Sequence, residues 1–212
     1  MPDPDRRRTP QHERRAETRA RLLDAAARLF ADHGIDAVSV DSVAEAAERT
    51  SGAVYDHFGS KHGLLMAVLD RWTHELVTTI DADFAQAPAL ENRLRTVAQR
   101  VVVSPDAKTA RLLVLQHELL LRAARDVEVA AVVRRHVAEE RRRLAAGFAR
   151  WTAEGLMPEG SAPPEHLAVT FRAVVLELVR QTWLEPGSLD TGQTVSVLAA
   201  TLRPHSPIAL SA

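Results

Sequence analysis

Ser51, Gly52, Ala53, Tyr55, Asp56 and His57 are small or polar and share the outward side of a short helical segment whose inward positions are Val54 and Phe58. Hydroxyls, a carboxylate and an imidazole on one face can donate to and accept from a partner's polar edges, and nothing bulky and apolar blocks close approach. That is the chemistry of recognition rather than of bond-making. Elsewhere His117-Glu118, and His136 with Glu139 and Glu140, could suggest metal or acid–base work. The HEXXH spacing is absent, however, and no glycine-rich phosphate loop or nucleophile elbow occurs. Cysteine is absent too, which removes disulfides, thiolate metal sites and a thiol nucleophile. Neither an enzyme nor a metal site nor a cofactor is expected.

The elements that must hold this face are short helices. Arg14 to His33 carries Leu22, Ala26, Leu29 and Phe30 on one side and stops at Gly34, a residue suited to the left-handed conformation that ends helices. Ser39 stands where an N-cap belongs, ahead of Val40, Val43, Ala44 and Ala47. After the Glu48-Arg49 connection, Thr50 or Ser51 can cap the next helix; Gly59-Ser60 breaks it, and Ser60 can cap a longer one carrying Leu64, Leu65, Val68, Leu69, Trp72 and Leu76. Two short helices packed through Val40, Val43, Ala44, Val54 and Phe58, joined by a tight turn and braced by a preceding helix, form a helix-turn-helix over 39–58, which sets its second helix in a DNA major groove. Pro88, Pro105, Asp126, Gly155-Pro158, Pro163-Pro164 and Pro186-Gly187 then punctuate five helices at about 90–103, 106–124, 127–154, 164–184 and 189–202. No run of period-two alternation interrupts them, so the fold is expected to be all-α, with about nine helices.

The 212 residues, 46% hydrophobic and 26% charged, can bury a sizeable core, and the net charge of −1 argues against a wholly basic nucleic-acid binder. Charge is nonetheless uneven: Arg6 to Arg28 holds eight arginines against three acids, in and beyond a basic arm expected over 1–13. The N-terminal stretch lacks the apolar core of a secretory signal. Even Leu167 to Leu184, the most apolar segment, contains Arg172, Glu177 and Arg180, so no membrane partner is expected and a cytoplasmic location fits.

From Thr18 to Leu65 the chain resembles, without a gap, the DNA-binding domain of the tetracycline-repressor (TetR) family, most specifically in the helix ending FADHG and the string SGAVYDHFGSK. The resemblance implies a reader domain over 14–75 that binds double-stranded operator DNA. It implies phosphate contacts from Ser39 and Thr50 at helix N-caps, from the phenolic hydroxyl of Tyr55 and from the ammonium of Lys61. It places Ser51, Gly52, Ala53, Asp56 and His57 against base edges, with Ala53 suited to a thymine methyl and Asp56 to a cytosine amino group. Arg49, where the family is usually apolar, could add a phosphate contact, and the arginine-rich arm could extend to phosphate or a minor groove. Glu48 stands where the family usually has glycine; holding it in the left-handed region would cost about 1–2 kcal/mol, so a differently shaped turn is expected.

The remaining residues, 76–204 with a tail at 205–212, exceed what DNA reading needs and are expected to dimerise and to sense. Leu167, Phe171, Val174 and Leu178 form one apolar face, and Val169, Leu176, Val179 and Trp183 another. The first can cover the subunit's own core, while the second, with Val195, Leu198, Ala199 and Leu202 of the last helix, predicts a homodimer through 164–184 and 189–202. An unidentified small-molecule effector, largely apolar, is expected between the helices, with His117, Glu118, Leu121, Arg122, Trp151, Phe171 and Trp183 as candidate lining. The run from Glu139 to Arg143 reads as solvated surface with an ion pair from Glu139 to Arg143.

Overall fold

The computed structural model describes residues 9–204. The expected tail at 205–212, and Arg6, Arg7 and Arg8 of the expected arm, lie outside that range. Among the described residues there are nine α-helices and no strand: α1 (Thr9–Ala37), α2 (Val40–Ala46), α3 (Ser51–Phe58), α4 (Lys61–Gln86), α5 (Leu90–Val97), α6 (Ala107–Ala123), α7 (Val127–Ala153), α8 (Pro164–Leu184) and α9 (Thr191–Thr201). No helix among them is long and apolar enough to cross a membrane.

They divide into two compact units, the first comprising the residues up to Thr73 together with Arg111–Val133. Its core holds Leu22, Ala26, Phe30, Ile35, Val43, Val54, Leu64, Leu65 and Leu69, each 0–1% exposed. Burying each of the larger of these side chains contributes roughly 1.5–3 kcal/mol. That is what holds α2 and α3, helices too short to persist alone in water. Gly34 (φ 74°, ψ 178°) interrupts α1, so the chain turns where the sequence pattern ends and Ile35 and Val38 tuck inward. The segment 111–133, placed by the linear reading in the C-terminal region, groups with this first unit. Two ion pairs reach from it to the end of α1, Arg122 to Asp36 and Arg111 to Asp32 at 3.4 Å.

The second unit comprises His74–Ala110 and the described residues from Arg134 onward. Phe148 packs edge-on against Trp151 and Phe171, each with ring centroids 5.4 Å apart, and Phe84 meets Trp151 at 5.5 Å. Arg93, only 8% exposed, lies with its guanidinium 5.5 Å from both the Phe84 and Trp151 rings and pairs with Glu154 at 2.7 Å. A buried cation is tolerable there because two ring faces and one carboxylate replace its water. On α8, Leu167, Phe171 and Leu178 are buried as the pattern predicted, but Val179, assigned to the outward face, is 1% exposed. Position 179 lies next to Leu178 on the helix, about 100° round, so a core-facing arc of ordinary width takes in both.

The sequence pattern predicts one regular helix over 90–103. Instead α5 is followed by a π-helical stretch, Ala98–Val103, in which the chain winds more widely. Polar side chains around this turn find partners: Arg100 pairs with Asp83, and Gln99 accepts from the Thr191 hydroxyl at 2.7 Å. Ala98, Val101 and Val102 stay buried, and the stretch packs on α8 and α9. Periodicity could not reveal this, because the apolar spacing is the same as that of an α-helix.

Candidate nucleic-acid interface

Ser39 is the N-cap of α2, and its bond with Ser42 is reciprocal. The Ser39 hydroxyl oxygen accepts from the Ser42 backbone N–H at 3.0 Å, while the Ser42 oxygen accepts from the Ser39 N–H at 3.1 Å. Of the two possible caps for α3, the structure uses Thr50, extended at φ −93° and accepting from the Ala53 N–H at 3.4 Å. Ser51 is instead the first helical residue, and its hydroxyl donates to the Asp41 carboxylate on α2. Ser60 accepts from the Gly63 N–H at 3.0 Å at the entry to α4. Three hydroxyl caps thus define the three helix starts around the reading face.

Between α2 and α3 the turn has the geometry that the family's glycine would adopt, contrary to the expectation of a different shape. Glu48 takes φ 55°, its N–H donates to the Glu45 carbonyl at 3.0 Å, and the Arg49 N–H reaches the Ala44 carbonyl at 2.8 Å. These are the two hydrogen bonds of a Schellman cap, and they satisfy carbonyls that the end of α2 would otherwise leave open. Together with the packing of Val43 and Val54, they hold Glu48 in the left-handed region. Replacing Glu48 with glycine should therefore raise the head's stability by about 1 kcal/mol and lift the melting temperature. An unchanged or lower midpoint in thermal unfolding would show that the residue is not strained. Arg49 is half-buried, its guanidinium donating to the Glu48 carbonyl at 2.8 Å.

Along α3, Gly52, Tyr55 and Asp56 are exposed, Tyr55 to 54%, while Ala53 and His57 are half-buried and Val54 is wholly buried. Arg15 and Arg19 of α1 stand beside the far end of this helix: Arg15 donates to the Asp56 carbonyl at 3.4 Å and Arg19 lies 5.2 Å from the Phe58 ring. His57 is held below the ordinary imidazole range, first by partial burial, then by these two guanidinium groups, with Asp56 pulling the other way. At neutral pH it offers one donor and one acceptor rather than a charge. Lys61, half-buried at the start of α4, is lowered by its own partial burial, against which Asp36 and Glu118 pull upward and Arg122 downward. Its ammonium is therefore set within a cluster of charges from α1 and α6.

Sequence reasoning missed four residues here. Asp41 was not singled out at all, and Arg15 and Arg19 read only as parts of an arginine-rich arm. Gly63 carried no signal at all, yet a Cβ there would stand 2.0 Å from the Phe58 carbonyl oxygen, so the end of α3 closes on the start of α4 through a position where only glycine fits.

The seven effector candidates do not gather within one unit. His117, Glu118, Leu121 and Arg122 belong to the first, where His117 Nδ1 contacts the Leu113 carbonyl at 2.8 Å, Arg122 pairs with Asp36 and with Glu118 at 3.1 Å, and Leu121 is 71% exposed. Trp151 and Phe171 are core aromatics of the second unit, and Trp183 is 39% exposed. A cleft of about 500 Å³ in the second unit, between α5 and α9, is lined by Leu90, Leu94, Arg95, Val195, Ala199 and Arg203 among others, and by none of the seven. No group of three metal-ligating side chains occurs among the described residues.

Comparison with known proteins agrees with this geometry. Residues 22–68 match the profile of the family described as "Bacterial regulatory proteins, tetR family". The HTH-type transcriptional regulator TtgR of Pseudomonas putida is 30% identical over 179 residues, spanning 82% of this chain and 84% of that one. An HTH-type transcriptional repressor of Mycobacterium tuberculosis is 37% identical over 93 residues, 44% of this chain and 48% of its own. A crystal structure from Rhodococcus sp., described as a putative TetR-family regulator, superposes with a TM-score of 0.71 at 22% identity, covering 89% of this chain and all of that one. Short capped helices α2 and α3, an unobstructed polar face and relatedness over most of the chain's length converge on one conclusion: this chain belongs to the TetR family and is a DNA-binding transcriptional regulator.

Proposed function

We propose that the chain is a homodimeric repressor that grips a palindromic operator with two copies of α3 and lets go when a small, largely apolar molecule binds among the helices of the second unit. The observation that carries the DNA half of this reading is the face of α3 itself: Tyr55 more than half exposed, Gly52 and Asp56 open beside it, and Val54 wholly buried on the opposite side. Ser39, Arg49, Thr50, Tyr55 and Lys61 are assigned to phosphate; Ser51, Gly52, Ala53, Asp56 and His57 to base edges. The repressor named among the relatives supports the sign of regulation.

For the second half, the support is geometric economy. Two heads must sit near 34–36 Å apart, or about one helical turn, to enter successive major grooves. A ligand that favours another arrangement by about 1.4 kcal/mol weakens operator binding tenfold. Trp151, Phe171 and Trp183 remain candidates to line its site, and an occupant must open the edge-on packing around Phe148. Arg122 and Glu118 are better assigned to bracing the head, through Asp36. Retention of operator affinity in the presence of a tightly bound metabolite would sink the coupling, and a gain would make the protein corepressor-dependent.

Two sets of variants test the contacts. Tyr55→Phe and Lys61→Ala should weaken binding to all sequences alike, and loss of a lysine–phosphate contact should reduce the slope of log affinity against log salt by about 0.9. Ala53 and Asp56 variants should instead alter which base is preferred. Gel shifts across a salt series decide it: an unchanged slope in Lys61→Ala refutes the phosphate assignment.

A further inference from the structure

The packing of α2 on α3 brings Asp41, in the first turn of α2, to Ser51, the first residue of α3, and the Ser51 hydroxyl donates its hydrogen to the Asp41 carboxylate. We infer that Asp41 is a specificity-determining residue: it makes the Asp41–Ser51 side-chain pair at the leading end of α3 an acceptor-only patch, so that this pair selects bases bearing an amino group in the major groove. The inference rests on α3 being the recognition helix, as proposed above.

A serine hydroxyl has one hydrogen and two lone pairs, and a carboxylate has only lone pairs. With its single hydrogen committed to Asp41, Ser51 can only accept from anything in front of it. Asp41 is exposed, and its second oxygen likewise only accepts. The N-terminal residues of a recognition helix are the ones that reach base edges. In the major groove, cytosine N4 and adenine N6 are amino donors, whereas guanine presents O6 and N7, and thymine O4, all acceptors. Lone pairs facing those acceptors repel, so cytosine or adenine is selected and guanine or thymine is excluded at that place on that strand. A negative side chain beside a phosphate-rich partner also needs a local compensation, which an amino donor supplies.

Asp41 would also tie α2 to α3 and sit well at a helix N-terminus in a protein that read no base there. The substitution Asp41→Asn separates the two roles. An asparagine keeps the tie to Ser51 in either amide orientation. With its oxygen toward Ser51 it turns its own N–H groups outward, and with its nitrogen there it frees the serine hydrogen. Either way the surface acquires a donor and the tie remains.

The test is selection of binding sites from randomised duplex DNA by the full chain, its Asp41→Asn variant and its Ser51→Ala variant. The wild type should select cytosine or adenine at one position of each half-site. Asp41→Asn should move that position toward guanine or thymine by about tenfold, leaving the others unchanged. Ser51→Ala should keep the same letters there with several-fold weaker preference, since the carboxylate remains. If the wild type selects a site and Asp41→Asn selects the same base at every position, the inference is overturned while the recognition-helix reading stands. A wild type with no sequence preference takes down both.

Discussion

The double variant Val169→Arg, Val197→Arg is expected to sediment as a monomer near 23.3 kDa and to bind the operator about a hundredfold more weakly than the wild type. Val169 on α8 and Val197 on α9 are 48% and 41% exposed, with Leu184 at 68% and Trp183 at 39% on α8. Substitution at exposed positions leaves the subunit's own core alone, whose α8 and α9 contributions are Leu167, Phe171, Leu178, Val179, Val195 and Leu198. If these faces pair with a second copy, each arginine must be dehydrated opposite its symmetry mate, at a cost of several kcal/mol. With the two heads no longer joined, each binds alone, and the advantage of linked binding, about 10² to 10⁴, is lost. Far-ultraviolet dichroism should be unchanged, which separates loss of assembly from loss of fold. A variant that stays dimeric in sedimentation would move the interface away from α8 and α9.

Gly63→Ala is expected to destabilise the head strongly. The new Cβ would stand 2.0 Å from the Phe58 carbonyl oxygen and 3.2 Å from its carbon, and since both are backbone atoms no rotamer change relieves the clash. The entry of α4 must then pull away from the end of α3, disturbing the packing of Val54, Leu64 and Leu65 and the position of Lys61. A loss of about 3 kcal/mol or more follows, at or beyond the upper end for overpacking, and operator binding should fall with it. Gly52→Ala is the control, because its Cβ would meet only the Thr50 hydroxyl at 3.7 Å. Thermal unfolding of the two variants side by side checks the difference. Equal midpoints would mean that the α3–α4 corner is looser than its geometry states.

Much of the reading head is legible residue by residue. Hydroxyls at 39, 50 and 60, inward valines at 43 and 54, and glycines at 34 and 59 are local signals, because capping and left-handed termination act within a few residues of the chain. The start of α8 follows the same logic, since Pro163-Pro164 announces that helix without reference to anything distant.

What lay beyond the sequence was whatever depends on which side chains meet across space. Glu48 shows this at the level of backbone: propensity alone argues against the left-handed region, and two hydrogen bonds plus the burial of Val43 and Val54 where α2 meets α3 overrule it. Gly63 is required by a carbonyl five residues earlier whose approach only the α3–α4 corner creates. The effector candidates were chosen by type, and type cannot say that Arg122 is already engaged by Asp36, or that Trp151 is occupied by Phe84, Phe148 and Arg93. By itself, then, the sequence determined an all-α chain with a capped helix-turn-helix whose second helix is polar on its outward side, because periodicity and capping are short-range. Only the tertiary structure decided that 111–133 belongs with the head, that Val179 faces inward, and that the Ser51 hydroxyl points at Asp41. Those outcomes turn on distances between residues far apart along the chain, and only the packed fold sets them.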